Sequence, residues 1–215
     1  MNTKNSIRAA YDHAAQEYAK RLWHELDGKP FDRLMLRWFA ERVPASETIL
    51  EVGAGPGEVA AFLMEQGATC LATDLSPEMV AVGKHCCPEL DFEVQDFFNL
   101  SYEDESFTAV LAFYAIVNLQ LEEVPAMLKE VFRVLKPGGL FFLSFHIKEE
   151  EDTVYVENFF SEEQNPLTFY YFDVEDVCDM LKETGFIPME TIIRYPYEGK
   201  EYGSKRAYII VEKPE

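Results

Sequence analysis

The chain has few of the features that mark disulfide-rich, metal-binding or membrane-spanning proteins. Its four cysteines, Cys70, Cys86, Cys87 and Cys178, include no paired C-x-x-C spacing, which argues against a disulfide framework or a zinc site. The adjacent Cys86 and Cys87 are either vicinal thiols for a soft metal or, as we expect, two small apolar residues near a helix end. No apolar run approaches the roughly 20 residues of a membrane span. The N-terminus has no apolar signal region, so we expect a cytoplasmic protein.

Positive charge is also scarce. The chain has 19 Lys and Arg against 39 Asp and Glu, a formal net charge of −20. This field repels phosphate backbones, so we expect neither nucleic acid nor an anionic membrane as a partner. No internal repeat is present, and 48% hydrophobic residues in 215 positions suffice for the core of one globular domain. We expect a monomer or a homodimer.

From residue 47 onward, short apolar segments alternate with segments of helical periodicity. The apolar segments are 47–52, 69–74, 90–94, 107–113 and 139–145, and the helical patterns between them begin at Gly57, Pro77 and Glu122. Strands that alternate with helices are typical of βαβ units, in which a parallel sheet carries helices on both faces. The sequence therefore predicts a doubly wound α/β fold.

Two segments fall outside this alternation. Residues 3–26 and 31–43 have apolar side chains at helical spacing, which predicts an N-terminal helical cap. Residues 146–172 interrupt the strand-helix rhythm. They contain the acidic run 149–152, interpreted as a solvated loop, and the aromatic run TFYYF at 168–172. The aromatic run is either a core strand or the wall of a pocket.

The C-terminal part completes the predicted sheet. A helix is expected to begin at Asp173, an N-cap residue type, and to stop at Gly185. Two strands within 186–197 and 204–214 are expected to follow, joined by a turn at 198–200. The result is a seven-stranded, mostly parallel sheet whose last strand is antiparallel.

The most informative segment is ILEVGAGPGE at residues 49–58, a predicted strand, turn and helix start. Glycines at 53, 55 and 57 allow the backbone to approach a ligand closely. The helix N-terminus beyond them offers free N–H groups to an anion such as a carboxylate. Ligands bind at this first crevice in doubly wound sheets. The spacing G-x-G-x-G differs from the dinucleotide pattern G-x-G-x-x-G.

Two acidic residues follow the next two predicted strands. Asp74 lies 21 residues after Gly53, where a carboxylate can accept hydrogen bonds from a ribose diol. Asp96 follows the third strand, with Phe97 beside it. An acid next to an aromatic ring suits an adenine, because the backbone or carboxylate takes the amine while the ring stacks. Together these residues predict a nucleoside-binding site.

Four segments, ILEVGAGPGEVA, ATDLSPEMV, VQDFFNL and RVLKPGG, resemble in order and spacing the motifs of class I S-adenosylmethionine-dependent methyltransferases. The resemblance is strongest from Ile49 to Leu143 and closest to small bacterial members that act on small molecules. Residues 136–139 match the turn before the fifth strand, which dehydrogenases do not share. The chain departs from these relatives at Asn118, where they usually have His. The resemblance implies S-adenosylmethionine as cofactor and S-adenosylhomocysteine as product.

The resemblance also implies which residues bind the cofactor: Tyr11, Tyr18, Glu51, Gly53, Ala54, Gly55, Gly57, Asp74, Leu75, Met79, Asp96, Phe97 and Phe113. The glycines would bring backbone to the methionine part, and Glu51 would hold its amino group. Asp74 would bind the ribose hydroxyls, and Asp96 with Phe97 would hold the adenine. Phe97 and Phe113 are alternatively ordinary core aromatics.

On this resemblance, one methyltransferase domain spans 1–215, with a helical cap at 1–45, a cofactor-binding core at 46–145, a substrate-side insertion at 146–172 and the last helix and strand pair at 173–215. Tyr11 and Tyr18, seven residues apart, share a helix face. Relatives of this type often begin with a similar segment that packs over the cofactor as a lid. The alternative is an amphipathic helix that only covers the sheet.

The implied reaction is in-line methyl transfer to a small-molecule acceptor without a metal, since no cluster of His, Cys, Asp or Glu has ligand spacing near the crevice. The candidate catalytic residues are His146 and Tyr114, and further acceptor-side candidates are Tyr11, Tyr18, Asn118, Tyr170, Tyr171, Arg194 and Arg206. His146 is either a base or a structural, hydrogen-bonded histidine. The two arginines either recognise an acceptor carboxylate or lie on the surface.

Two other functions stay open. One is a non-catalytic domain that binds S-adenosylmethionine and acts as a regulator or subunit. The other is an NAD-type oxidoreductase on a similar fold, which the G-x-G-x-G spacing and the KPGG turn disfavour.

Overall fold

The computed structural model describes residues 2–150 and 153–215. Its strands are β1 Thr48–Val52, β2 Thr69–Asp74, β3 Asp91–Val94, β4 Phe107–Phe113, β5 Leu135–His146, β6 Thr153–Val156, β7 Leu167–Tyr170, β8 Ile187–Arg194 and β9 Arg206–Glu212. Its α-helices are α1 Lys4–Leu22, α2 Pro30–Ala40, α3 Glu58–Glu65, α4 Pro77–Cys86, α5 Val124–Val134 and α6 Val174–Thr184. Short 3-10 helices lie at Glu25–Gly28 and Leu121–Glu123.

Seven of these strands form one sheet in the order β3-β2-β1-β4-β5-β9-β8. The first five strands in this order run parallel to one another, and β9 runs antiparallel to both β5 and β8, between which it lies. The predicted doubly wound α/β fold, with a mostly parallel seven-stranded sheet and an antiparallel last strand, is confirmed. The strand order reverses between β1 and β4, so a crevice forms beyond their carboxyl ends.

The sheet separates two hydrophobic clusters. On one face, α5 buries Val124, Met127, Leu128 and Val131 against β4 and β5. These intervals of three and four residues place the four side chains on a single helix stripe. On the other face α2 and α3 pack against the sheet, where the ring of Phe39 meets that of Phe142. Each fully buried side chain of this kind contributes about 1.5–3 kcal/mol, so both clusters hold the crevice rigidly.

Helix α1 lies against α4. It begins at the N-cap Thr3, whose side chain accepts a hydrogen bond from the backbone of Ser6. Ala15 and Ala19 pack on Met79 and Val82 of α4, and their small size allows the two helices to approach closely. The Oγ of Ser76 donates to Asp12 at 2.6 Å. The start of α4 is therefore attached to α1.

Residues 146–172 contain a second, two-stranded sheet formed by β6 and β7. The aromatic run therefore contributes a strand outside the main sheet, and Phe169 of that strand faces the cavity described below. Of the acidic run, Glu149 and Glu150 are exposed, and Glu149 pairs with Lys205 at 2.7 Å. Its other two members, residues 151 and 152, lie outside the described residues.

Two predicted boundaries were wrong. Residues 136–139 do not precede the fifth strand but lie within β5, because the backbones of Gly138 and Gly139 exchange hydrogen bonds with Lys213. The predicted turn at 198–200 is present, with the N–H of Lys200 donating to the carbonyl of Tyr197 at 3.1 Å, but it lies within a longer loop at 195–205 because β8 already ends at Arg194. This loop folds inward because Glu201 is buried among basic side chains.

Candidate functional site

A cavity of about 560 Å³ lies at the carboxyl ends of β1, β2, β4 and β5. The glycine-rich turn and the strand ends form its floor. Side chains of α1, of the small sheet and of the 195–205 loop form its other walls. This volume falls in the range of clefts that enclose drug-sized ligands.

The glycine-rich turn has the strained backbone expected from its sequence. Gly53 has φ 64°, and a Cβ there would lie 2.7 Å from the Cβ of Ala115. Gly57 has φ 86°, and a Cβ there would lie 2.6 Å from the ring of Phe92. Gly53, Ala54 and Gly55 line the cavity. Only glycine fits positions 53 and 57 without displacing a neighbour.

Two residues predicted to bind the cofactor do not line the cavity. Gly57 is instead needed for close packing against Phe92, on the far side of the turn. Met79 is fully buried beneath α1, against Ala15 and Ala19. Its side chain fills a helix-helix contact, so Gly57 and Met79 both pack away from the cavity in this structure.

Glu51, near the end of β1, is 2% exposed and lines the cavity. Within the described residues, its Oε2 atom has no hydrogen-bond partner. Burial raises the pKa of this carboxyl well above its usual range, and the nearby Glu58 raises it further. A buried carboxyl oxygen without a partner is costly, and a ligand ammonium group would satisfy it. This orphaned oxygen fits the amino group of a methionine moiety.

Asp74, at the end of β2, holds the turn from the opposite side. Its Oδ2 accepts a hydrogen bond from the backbone of Gly55 at 2.8 Å, and its Oδ1 accepts one from Ser76 at 2.8 Å. Burial raises the pKa of Asp74 to about 6. Each carboxylate oxygen retains a further lone pair for a ligand hydroxyl, so Asp74 both shapes the turn and fits a ribose diol.

Asp96, Phe97 and Leu75 form the neighbouring part of the wall. The Oδ1 of Asp96 accepts a hydrogen bond from the backbone of Phe98 at 3.1 Å, and Lys4 of α1 pairs with its other oxygen. Phe97 contacts Phe98 edge to face, with ring centroids 5.0 Å apart. Helix α1 thus closes directly over the residues predicted to hold an adenine.

Tyr11 and Tyr18 both line the cavity from α1. The hydroxyl of Tyr11 donates to Asn118 at 2.7 Å, and the amide of Asn118 donates to the carbonyl of Thr168 in β7 at 3.0 Å. The ring of Phe159 lies 5.1 Å from that of Tyr11. Asn118, where similar proteins usually have His, therefore connects the helix, the loop after β4 and the small sheet.

The predicted catalytic residues Tyr114 and His146 stand together on the wall. Their rings stack with centroids 5.0 Å apart. Tyr114 has φ 57°, and its backbone N–H donates to the Oγ of Ser144 at 3.0 Å. The Nδ1 of His146 shares a hydrogen bond of 2.7 Å with Ser204. Both predicted residues are therefore held in place at the carboxyl ends of β4 and β5.

Electrostatics argues against either ring as a general base. Burial, together with the cationic Arg206 and Lys29, lowers the pKa of His146 to about 3, and Glu201 opposes this shift. Burial also raises the pKa of the Tyr114 hydroxyl above its usual range. A base works best when its pKa lies near the working pH. Both groups are therefore neutral at pH 7.

A buried ionic network supports this wall. Arg194 pairs with Asp32 at 3.0 Å and with Glu201 at 2.5 Å, and the Tyr208 hydroxyl donates to Asp32 at 2.7 Å. Arg206 is 2% exposed and lies 3.2 Å from Glu201. The interpretation of Arg194 and Arg206 as surface residues was therefore wrong. Arg206 lines the cavity, whereas Arg194 is part of its support.

The cavity residues that the sequence analysis did not single out include Lys29, Glu58, Phe159 and Phe160. Glu58 immediately follows the glycine-rich turn, and its side chain is buried. Acidic residues are common at helix N-termini because they interact favourably with the helix dipole. The position of Glu58 in the sequence therefore did not indicate a ligand. Lys29 and the two phenylalanines reach the cavity only through distant packing, which local periodicity does not reveal.

Across residues 2–150 and 153–215, no group of three His, Cys, Asp or Glu side chains is arranged to hold a metal ion. No helix in the same part of the chain is long and apolar enough to cross a membrane. Of the remaining acceptor-side candidates, Tyr171 lines the cavity, whereas Tyr170 faces a separate, smaller cleft.

Comparison with known proteins agrees with this geometry. Residues 50–143 match the family model of the methyltransferase domain. A demethylmenaquinone methyltransferase of Beutenbergia cavernae is 31% identical over 137 residues, which are 63% of this chain and 55% of that protein. The chain spans about half the length of the curated relatives that it matches.

Two solved structures have the same fold. A S-adenosylmethionine-dependent methyltransferase of Methanosarcina mazei aligns with a TM-score of 0.72 at 18% identity, over 81% of this chain and 95% of that one. Another, of Clostridium acetobutylicum, aligns with a TM-score of 0.70 at 15% identity, over 93% of this chain and 99% of that one. Residues 50–143 are therefore similar to methyltransferase domains, and the chain has the fold of solved S-adenosylmethionine-dependent methyltransferases.

Proposed function

We propose that this chain transfers the methyl group of S-adenosylmethionine to a small-molecule acceptor by in-line displacement, without a metal. The observation that carries the proposal is the unpartnered carboxyl oxygen of Glu51 beside the Gly53–Gly55 turn. It offers a buried acceptor where the family places a methionine ammonium group. Asp74 offers the matching acceptor for ribose hydroxyls.

The residues present fit the cofactor. Glu51 would hold its amino group, Gly53 and Gly55 would approach its methionine part, and Asp74 would bind its ribose. Asp96 and Phe97 would hold its adenine. When bound, the cofactor supplies an activated methyl group on a sulfonium. The chain's task is then to align the acceptor and exclude water, which can lower such a barrier by several kcal/mol.

On the acceptor side, we assign positioning roles to His146 and Tyr114. Both are neutral at pH 7 for the electrostatic reasons given above, and they are rigidly held. A hydrogen bond from His146 and the faces of both rings can orient an acceptor without taking its proton. The best acceptors are accordingly those whose nucleophile is already deprotonated or needs no strong base.

A flat, largely apolar acceptor fits the insertion. Its residues Val156, Phe159, Phe160 and Phe169 line the cavity as an apolar wall. The relatives named demethylmenaquinone methyltransferases suggest a quinol-type ring as the first acceptor to test. We further propose a cytoplasmic protein that is a monomer or homodimer and has no nucleic-acid partner.

The test is a labelled-methyl assay against aromatic and quinol-type metabolites, scored by product mass. Label should enter one acceptor at an unchanged rate in excess chelator. Loss of transfer on chelation, with recovery on adding magnesium, would overturn metal independence. Binding of S-adenosylmethionine with no transfer to any acceptor would favour the non-catalytic regulator instead.

A further inference from the structure

Glu58, the first residue of α3, is a buried acid for which the proposed reaction gives no role. Its side chain is 9% exposed and lines the cavity. Its Oε2 has no hydrogen-bond partner in the part of the chain that the structure describes. An acid at a helix N-terminus is usually solvated and needs no buried partner. A buried carboxyl oxygen without a hydrogen-bond partner instead indicates a ligand group that binds there.

Negative charge surrounds this carboxyl. Glu25, Glu51 and Asp74 all face it, as do the hydroxyl of Tyr18 and, from α4, the thiol of Cys86. Glu51 presents a second unpartnered oxygen to the same cavity. The cluster therefore offers two buried acceptors, each lacking a donor, on one wall.

Lys29, whose positive charge opposes the raised pKa of Glu58, is already engaged by other acids. Lys29 lies 2.7 Å from Glu25 and 3.9 Å from Glu201. Its charge is thus shared with other acids, and Glu58 retains little compensation. Burial and the nearby Glu25 raise the pKa of Glu58 to about 8, although Lys29 opposes the shift. Protonation of Glu58 is the simplest way to reduce the repulsion among these buried acids in the free protein.

We propose that Glu58 is protonated in the free protein and releases its proton to solvent when the positively charged cofactor enters the cavity, so that cofactor binding is coupled to proton release. This inference rests on the proposed function. S-adenosylmethionine has an ammonium, a sulfonium and a carboxylate, a net charge of +1. The demethylated product lacks the sulfonium charge. An ionised Glu58 therefore favours the cofactor over the product, which assists product release.

The coupling can be measured without turnover. Titration calorimetry at pH 7.5 in two buffers of different ionisation enthalpy gives the number of protons released per ligand bound. Asp74 is largely ionised at this pH, so its contribution is small, whereas Glu51, whose pKa burial also raises, contributes with either ligand and cancels in the comparison between them. We expect S-adenosylmethionine to release more protons than S-adenosylhomocysteine. With Glu58→Gln, release on binding S-adenosylmethionine should fall by about one proton.

Glu65→Gln is the matched control, since Glu65 is an exposed glutamate on the same helix. It should keep the wild-type proton release. A second measurement avoids the variant altogether: between pH 7 and 7.5, where Asp74 is largely ionised, wild-type affinity for S-adenosylmethionine should rise, by at most about threefold for each proton released.

The inference is overturned if wild-type binding releases no protons, or if Glu58→Gln binds the cofactor with unchanged proton release. Those outcomes leave the proposed function intact, because the cofactor still binds. If the wild-type protein shows neither binding heat with S-adenosylmethionine nor binding of it in a competition experiment, the proposed function itself is contradicted.

Discussion

Asp74→Asn separates ligand binding from the structural role of this carboxylate. In the free protein its oxygens accept the backbone N–H groups of Gly55 and Ser76. Asn retains one acceptor and turns an amide toward the other donor, which costs about 1–3 kcal/mol. Against this, a pKa raised from 3.8 to about 6 means that the buried charge itself costs about 3 kcal/mol. The free energy of unfolding should therefore change little.

Cofactor affinity should behave differently. The neutral amide cannot accept both ribose hydroxyls with charge-assisted bonds, so affinity for S-adenosylmethionine should fall by about 1.5–3 kcal/mol, or roughly 10- to 150-fold. Calorimetry measures this loss and urea denaturation measures stability. Asp91→Asn, an exposed aspartate at the start of β3, is the control. Unchanged affinity in Asp74→Asn, or an equal loss in Asp91→Asn, would refute the reasoning.

Three further outcomes follow from the same geometry. Tyr208→Phe removes the hydroxyl that donates to the fully buried Asp32 and accepts from Arg194, so urea denaturation should show a loss of about 2–3 kcal/mol. The exposed Tyr195→Phe should stay within about 0.5 kcal/mol, and equal effects would argue against the network. Because the folded pKa of His146 is about 3 and its unfolded pKa 6.5, the unfolded state binds more protons below pH 6.5. The stability of the wild type relative to His146→Asn should thus fall by about 2 kcal/mol between pH 7.5 and pH 5; a flat difference would contradict the neutral histidine. In hydrogen exchange, residues 5–22 of α1 should become protected when S-adenosylhomocysteine binds, since Tyr11, Tyr18 and Lys4 face the cavity or Asp96. Equal exchange with and without ligand would mean that the helix only covers the sheet.

The main sheet was predictable because its signals are local. Strands β1 and β4 are short apolar runs buried on both faces, and the apolar residues of α5 recur at helical spacing in the sequence. The small sheet and the 195–205 loop were not predictable in this way. The amide of Asn165, for example, donates to the carbonyl of Ala10, 155 residues away. Long-range contacts of this kind produce no periodic pattern in the sequence.

The candidate site shows the same division. Glu51 and Asp74 are marked by their spacing from the glycines, and both line the cavity. The same spacing also marks Gly57, which does not line the cavity and packs against Phe92. Glu58 is adjacent to the motif, but its importance arises from burial beside Glu25, which only the tertiary structure brings near.

Calorimetric titration of the wild-type chain with S-adenosylmethionine and with NAD bears most directly on the cavity's function. We expect S-adenosylmethionine to bind with a Kd in the micromolar range, about −8 kcal/mol, and NAD to give no binding heat. Binding of NAD, or no interaction with S-adenosylmethionine, would contradict the assignment of Glu51, Asp74 and the glycine-rich turn to this cofactor.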